Sequence, residues 1–176
     1  KDKVNSMFDT HQEDFIIKDE ILNYIERLQE SFIIFKEIKE NSMKSKELDD
    51  LEMIGRIAPF YPLMMHIYKY NNDKFNKFIS SLTKFTFRAT LIGLRNDNES
   101  FYSYIRNQED IIGKFEEIVD NNWWNINGRV EETLSYRNYY NWINAKLIKY
   151  ILLKYENHLR KEKGYPLLDK DVFFSK

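Results

Sequence analysis

Residues that interrupt helices are scarce in this chain, and that scarcity limits the folds open to it. The 176 residues include only five Gly and three Pro. A sheet of many strands needs turn residues at short intervals, whereas long helices joined by short polar loops need few. Apolar side chains also recur at three- and four-residue spacing over long stretches. We therefore predict an all-α protein, an irregular bundle of about six or seven helices with a long C-terminal helix.

Composition and charge exclude several classes of protein. The chain has 27 basic and 28 acidic residues, a formal charge of -1, so it lacks the strong positive field of a typical nucleic-acid binder. It has no cysteine, which removes disulfides and cysteine metal sites. No apolar run approaches the roughly 18 to 20 residues that span a bilayer, and the N-terminus lacks the layout of a signal peptide. We expect a cytoplasmic protein with no membrane partner.

Hydrophobic periodicity predicts the individual helices. From Asp19 to Ile38 the apolar residues form one stripe with Glu residues opposite, which is typical of an amphipathic surface helix. The segment from Phe75 to Ile92 is apolar on two sides, which predicts the central helix of the core. The other predicted helices cover residues 51–57, 62–70, 99–106, 108–119 and 136–164. We interpret residues 1–176 as a single helical domain in which 1–18 and 165–176 are flexible or extended ends.

Three segments carry a resemblance to a known family. They are Gly55-Arg56 with Phe60-Tyr61-Pro62-Leu63, then Phe87-Arg88-Ala89-Thr90-Leu91-Ile92-Gly93 with Asn96 and Asn98, and Tyr150-Ile151-Leu152-Leu153-Lys154-Tyr155-Glu156. In order and spacing they resemble the helical middle region of the GmrSD-type, modification-dependent (type IV) restriction proteins. In that family a ParB-like domain precedes this region and an HNH nuclease domain follows it. Residues 137–168 are similar to the segment that leads into the nuclease.

The resemblance implies a role in DNA restriction or phage defence. The family's N-terminal domain is associated with nucleotide hydrolysis, and its HNH domain cuts DNA, often DNA with modified bases. Residues 1–176 lack the motifs of both domains. The N-terminal domain of the family has an Asp-Gly-Gln-Gln-Arg-type motif, and the HNH domain has a Glu-His-x-x-Pro-type motif. We therefore expect a fragment of a larger multidomain protein, a non-catalytic interdomain scaffold without a cofactor of its own. Its expected partners are the neighbouring domains and, through the full-length protein, DNA.

A few residues stand out as candidate sites. Arg88 lies inside an apolar helix, where an unpaired guanidinium would be costly to bury, so we expect an ion pair with Glu156 or a carbonyl clamp. A basic stripe on the terminal helix could contact the DNA backbone or be a solvated face; it consists of Lys146, Lys149, Arg160 and Lys163. Trp123 and Trp124 are the candidate surface for docking a neighbouring domain.

Other chemistry has little support in the sequence. None of the three histidines lies in the H-E-x-x-H pattern of a helical metal site, and His66 is expected at the core or its boundary. No Gly-rich phosphate loop or serine-hydrolase elbow occurs. Tyr139 and Tyr140 could stack on bases, but packing is the favoured interpretation. The main alternative from another class is a stand-alone helical protein-interaction module.

Overall fold

The computed structural model describes residues 2–42, 45–94, 102, 105, 109–120 and 126–174. These residues contain nine α-helices and no strand, so the all-α prediction is confirmed for the described part of the chain. The helices are α1 (Asp2–Ser42), α2 (Lys46–Ile54), α3 (Tyr61–Tyr70), α4 (Phe75–Leu91), α5 (Ile111–Asp120), α6 (Ile126–Ser135), α7 (Tyr139–Trp142), α8 (Ala145–Glu162) and α9 (Lys170–Phe174). Two short 3-10 turns, Ala58–Phe60 and Asn72–Lys74, precede α3 and α4. None of the described helices combines the length and apolarity needed to cross a bilayer.

The chain divides into two compact units, Lys1–Asn41 and Ser42–Lys176. The first unit is essentially the single helix α1. This differs from the single domain predicted from sequence, and α1 begins at Asp2 rather than near Asp19. Residues 2–42 contain no Gly or Pro, so no residue interrupts the helical backbone in the segment expected to be a flexible end.

Helix α4 is the centre of the second unit, as its two apolar faces predicted. It contacts α2, α3, α5 and α6. Phe85, which is 1% exposed, makes edge-to-face ring contacts with Phe60 at 6.0 Å and with Phe115 at 5.9 Å. Phe78 approaches Phe115 in the same way, with centroids 5.1 Å apart. These aromatic rings hold α4 against α5 and the turn before α3.

A second apolar cluster lies where α2, α4, α7 and α8 meet. Its buried members are Met53, Ile54, Leu91, Tyr139, Leu147, Tyr150 and Leu153. Phe87, on the second apolar side of α4, packs against this cluster with its ring 5.9 Å from that of Tyr150. We call this group the α8 cluster. It fixes the long C-terminal helix on the body of the second unit.

The predicted helix 136–164 is interrupted, which corrects its N-terminal boundary. Helix α7 ends at Trp142, Ile143 is extended at φ -73° and ψ 147°, and α8 starts at Ala145. The side chain of Asn144 accepts a hydrogen bond from the Lys146 backbone N–H at 2.8 Å, and asparagine is among the best residues for such an N-cap. The apolar period continues across Asn144, so periodicity alone did not show the break.

Candidate functional site: the cleft under the C-terminal strap

Residues 165–174, which we call the strap, lie across α2 and α8 and enclose a cleft in the second unit. The chain leaves α8 through Gly164, whose φ of 72° is left-handed, and then turns back. The Tyr165 N–H donates to the Arg160 carbonyl at 2.8 Å and the Gly164 N–H to the Lys161 carbonyl at 3.2 Å, which closes the helix end. The reversal brings residues that were predicted to be a flexible or extended end onto the helical body.

The cleft has a volume of about 430 Å³ and a mixed lining. It is lined by Lys46, Asp49, Asp50, Met53, Leu153, Lys154, Asn157, His158, Lys161, Leu167, Leu168 and Lys170. Four lysines face two aspartates, so the lining carries a net positive charge. Helix α2 supplies both carboxylates, and α8 and the strap supply three of the four ammonium groups.

Asn157 holds the strap through both ends of its side-chain amide. Its Nδ2 donates to the Leu168 carbonyl at 3.2 Å, and its Oδ1 accepts from the Leu168 N–H at 2.7 Å. The two hydrogen bonds satisfy both the N–H and the carbonyl of Leu168, as the backbone of a neighbouring β-strand would. Because both atoms of one amide are used, no other side chain of similar size reproduces the contact.

Two ion pairs connect α2 to the other walls of the cleft. Lys154 on α8 pairs with Asp50, and Lys170 in the strap pairs with Asp49. The hydrogen bond that the Lys170 ammonium donates to Asp49 outweighs the opposing effect of burial and raises the pKa of Lys170 above its usual range. Lys170 therefore stays charged throughout the neutral range, and its contact with Asp49 weakens only in strong alkali.

Apolar contacts complete the attachment of the strap. Leu168, Phe173 and Phe174 are partly buried against the α8 cluster. Asp169 caps α9, because its Oδ1 accepts from the backbone N–H of Asp171 at 2.8 Å and of Val172 at 3.1 Å. The cap presents Phe173 and Phe174 on one short helical turn, and the Lys149 ammonium lies 6.0 Å from the centroid of the Phe174 ring.

Most charged groups of this cleft are paired with one another or with a neighbouring side chain. Lys154 and Lys170 are engaged by carboxylates, and His158 lies 3.4 Å from Glu162, one helical turn further along α8. Over the described ranges, no group of three or more His, Cys, Asp and Glu side chains is placed to hold a metal ion. What the geometry does provide is a rigid attachment of residues 165–174 at three separate points.

The basic stripe predicted on the terminal helix does not form one continuous surface. Arg160 is paired with Glu156 at 2.8 Å and also donates to the Pro166 carbonyl at 3.2 Å. Lys149 is directed to the strap, and the exposed Lys146 donates to the Glu52 carbonyl at 3.5 Å. Three of the four predicted DNA contacts therefore have a partner within the protein, and the fourth, Lys163, is exposed.

The predicted ion pair between Arg88 and Glu156 is absent among the described contacts, and that interpretation is corrected. Glu156 lies one helical turn from Arg160, which satisfies its carboxylate locally. Arg88 is half-buried in the last turn of α4, where a cation is favoured by the helix dipole. We expected Arg88 to hydrogen-bond a backbone carbonyl if it formed no ion pair. Such a contact is made by Arg56, whose Nη1 donates to the Leu94 carbonyl just beyond α4.

The remaining sequence candidates have different outcomes. Trp123 and Trp124 lie outside the described residues, so their proposed docking role stays a prediction. Tyr139 is 4% exposed within the α8 cluster, and the exposed Tyr140 packs its ring against it at 5.5 Å. His66, expected at the core or its boundary, is exposed and contacts Tyr70 with ring centroids 4.8 Å apart. Sequence reasoning missed Asn157, although a polar residue on the apolar side of α8 is a signal for a specific contact.

Buried phenols in the α8 cluster predict a loss of stability in alkali. Burial, assisted by Tyr140, raises the pKa of Tyr139 to about 12, and burial together with the nearby Asp50 carboxylate raises the pKa of Tyr150 further. The pKa of a tyrosine in the unfolded chain is near 10. A group whose pKa is higher in the folded state contributes its full stability below that unfolded pKa. This stability is lost as the pH rises through the folded-state pKa. We expect the free energy of unfolding to fall from about pH 10 upward.

The measurement is chemical denaturation at a series of pH values, combined with phenolate absorbance. The Tyr150→Phe variant should lose part of the alkaline slope, while Tyr155→Phe on the exposed side of α8 is the matched control. An equal slope in both variants and in the parent protein would show that the α8 cluster does not exclude the phenolate.

The comparisons with known proteins supply no relative for this site. No protein-family model matches the chain, and searches of curated proteins and of solved structures found no significant match.

Proposed function

We propose that the described helical body is a non-catalytic scaffold that positions the neighbouring domains of a GmrSD-like restriction or phage-defence protein in the cytoplasm. The sequence resemblance in three segments motivates this proposal. The structural observation that supports it is the three-point attachment of the strap, through Asn157, Asp49 and the α8 cluster. A scaffold needs its outgoing segment fixed in this way, because a domain joined through a flexible segment has no defined position.

In this proposal the chemistry resides outside residues 1–176. A nucleotide-hydrolysing ParB-like domain would precede the helices, and an HNH nuclease domain acting on modified DNA would follow the strap. The helical body would need no cofactor, and its contact with DNA would be limited to exposed cations such as Lys146 and Lys163. These statements are expectations from the resemblance.

The first test is the coding sequence that follows residue 176, which under this proposal encodes an HNH motif. The second is biochemical. The 176-residue chain should neither hydrolyse nucleoside triphosphates nor cleave modified or unmodified DNA. Activity that co-purifies with the chain and is abolished by a point substitution within it would contradict the proposal.

A functional test of the scaffold uses the longer protein. Release of the strap by Asn157→Ala should lower DNA cleavage while leaving nucleotide hydrolysis near the parent rate, because only the position of the nuclease changes. Asn76→Ala, the same substitution at an exposed site on α4, is the control. Equal effects of both variants on cleavage would argue against positioning through the strap.

The second candidate function is a stand-alone helical protein-interaction module. It is favoured by a row of exposed apolar side chains on α1, among them Phe32 at 68% and Leu28 at 57% exposure. A soluble helix rarely presents such a row without a binding partner. The absence of any HNH motif downstream would favour this candidate over the scaffold.

A further inference from the structure

Helix α1 carries an apolar seam with the spacing of a two-helix contact. Ile21, Ile25, Leu28, Phe32 and Phe35 follow one another at intervals of four, three, four and three residues. At 100° per residue they fall within an arc of about 80° on one side of the helix. This is the a and d pattern by which two helices interlock their side chains.

The first four residues of the seam are largely open to solvent. Ile21 is 53% exposed, Ile25 50%, Leu28 57% and Phe32 68%. Leu22 and Tyr24 flank them at 48% and 66% exposure, which widens the apolar surface on both sides. We refer to Ile21, Ile25, Leu28 and Phe32 as the open seam.

The open seam is symmetric about the midpoint between Glu26 and Arg27. If a second α1 runs antiparallel across it, Ile21 of one copy faces Phe32 of the other, and Ile25 faces Leu28. Each d position then meets an a position, and the two-fold axis passes through the middle of the seam. A self-complementary patch of this kind is what an isologous contact requires.

We propose that this chain forms a homodimer through the open seam of α1, with the two helices antiparallel and centred between residues 26 and 27. The proposal depends only on α1 and is independent of the restriction function proposed above. It identifies the occupant of the exposed apolar stripe as a second copy of the same helix.

The area of the seam fits a reversible dimer. Side chains of this size with half their surface exposed bury about 100 Å² each, so the open seam with its two flanking residues offers on the order of 600 Å² per copy. A standard stable interface uses about 800 Å² per partner, and smaller ones are weak or transient. We therefore expect an equilibrium between monomer and dimer that depends on protein concentration.

The charge on α1 argues against a membrane as the occupant. Residues 18–41 include six acidic and four basic side chains, and Glu26, Glu30 and Glu37 lie on the face opposite the seam. Interfacial helices that bind anionic membranes carry lysine and arginine on the polar face instead. The acidic face of α1 remains solvated when two copies pack through their seams.

The first experiment measures the mass of the full chain by sedimentation velocity from low micromolar to several hundred micromolar concentration. The parent protein should shift from 21.5 kDa toward twice that mass as concentration rises. The double variant Ile25→Glu, Leu28→Glu should remain monomeric with unchanged helicity, because glutamate suits an exposed helix but not an apolar contact. Glu26→Gln, Glu37→Gln on the opposite face is the control and should dimerise like the parent.

The second experiment tests the direction of the helices by disulfide trapping, since the parent chain has no cysteine. In the antiparallel dimer, position 21 of one copy faces position 32 of the other. The two positions 21 are therefore about 16 Å apart along the helix axis, because 11 residues separate positions 21 and 32. Neither Ile21→Cys nor Phe32→Cys should therefore cross-link with itself, whereas an oxidised mixture of the two should form the mixed disulfide dimer.

Four outcomes would overturn the proposal. A parent chain that stays monomeric at every concentration excludes self-association. Efficient self-cross-linking of Ile21→Cys indicates a parallel arrangement. Loss of thermal stability in the Ile25→Glu, Leu28→Glu variant, compared with the parent at a concentration where the parent is monomeric, would assign the open seam to the chain's own core. Binding of a monomer to neutral lipid vesicles, lost in the same variant, would assign it to a lipid surface.

Discussion

Replacing Phe85 with alanine is expected to destabilise the second unit by about 3 to 5 kcal/mol, which approaches the whole stability of a small domain. Phe85 is 1% exposed, and its ring contacts both Phe60 and Phe115. Alanine removes both edge-to-face contacts and leaves a cavity between α4, α5 and the turn before α3. Denaturation by urea, followed by circular dichroism, measures the change.

The control for Phe85→Ala is Lys84→Ala, one residue away on the exposed side of α4. Its stability should remain within about 0.5 kcal/mol of the parent, because surface substitutions away from specific contacts have small effects. A loss below about 1 kcal/mol in Phe85→Ala would mean that the aromatic contacts around α4 do not form the core.

Releasing the strap is the second change with a large expected effect. The triple variant Asn157→Ala, Phe173→Ala, Phe174→Ala removes two hydrogen bonds to Leu168, worth about 1 kcal/mol each, and two half-buried rings of similar value. The total is on the order of 4 kcal/mol, and each 1.4 kcal/mol is about a tenfold change in the docking equilibrium. We expect residues 165–174 to be cleaved by proteases at least 100-fold faster.

Local opening distinguishes the strap from the core. Global stability of the triple variant can fall by no more than the docking free energy of the strap, since the remaining helices stay folded after it opens. Protease sites before Gly164 should keep their parent rates, and Asn76→Ala should leave every rate unchanged. Strap cleavage at the parent rate in the triple variant would show that these contacts do not hold residues 165–174.

The parts of the fold that sequence predicted are those that depend on helical period. Helix α4 could be placed in the core because its apolar residues lie on two sides, and the structure surrounds it with four other helices. The break before α8 was missed because Tyr140, Ile143 and Leu147 continue the period across Asn144. A capping residue inside a periodic run gives a weaker signal than Gly or Pro.

The site was harder to predict because it forms between segments distant in sequence. The pairs of Asp49 with Lys170 and of Asp50 with Lys154 join residues more than 100 positions apart. Nothing in the local pattern of either residue indicates its partner. The expected pair of Arg88 with Glu156 failed for the same reason, since a nearer cation, Arg160, was available. Two adjacent phenylalanines in a supposed flexible end were the available clue that residues 173 and 174 pack against the body.

The left-handed turn at Gly164 sends the chain back along α8, and it thereby sets the position of any domain that follows the strap. Phe174 lies beside Lys149, which is 15 residues before Gly164 and therefore about 22 Å back along the axis of α8. An appended domain would accordingly begin beside the first turns of α8 instead of beyond its C-terminal tip. Each helical turn inserted near residue 162 would move Gly164 about 5.4 Å outward and draw Leu168 away from Asn157, so intolerance of such insertions would map the route of the backbone.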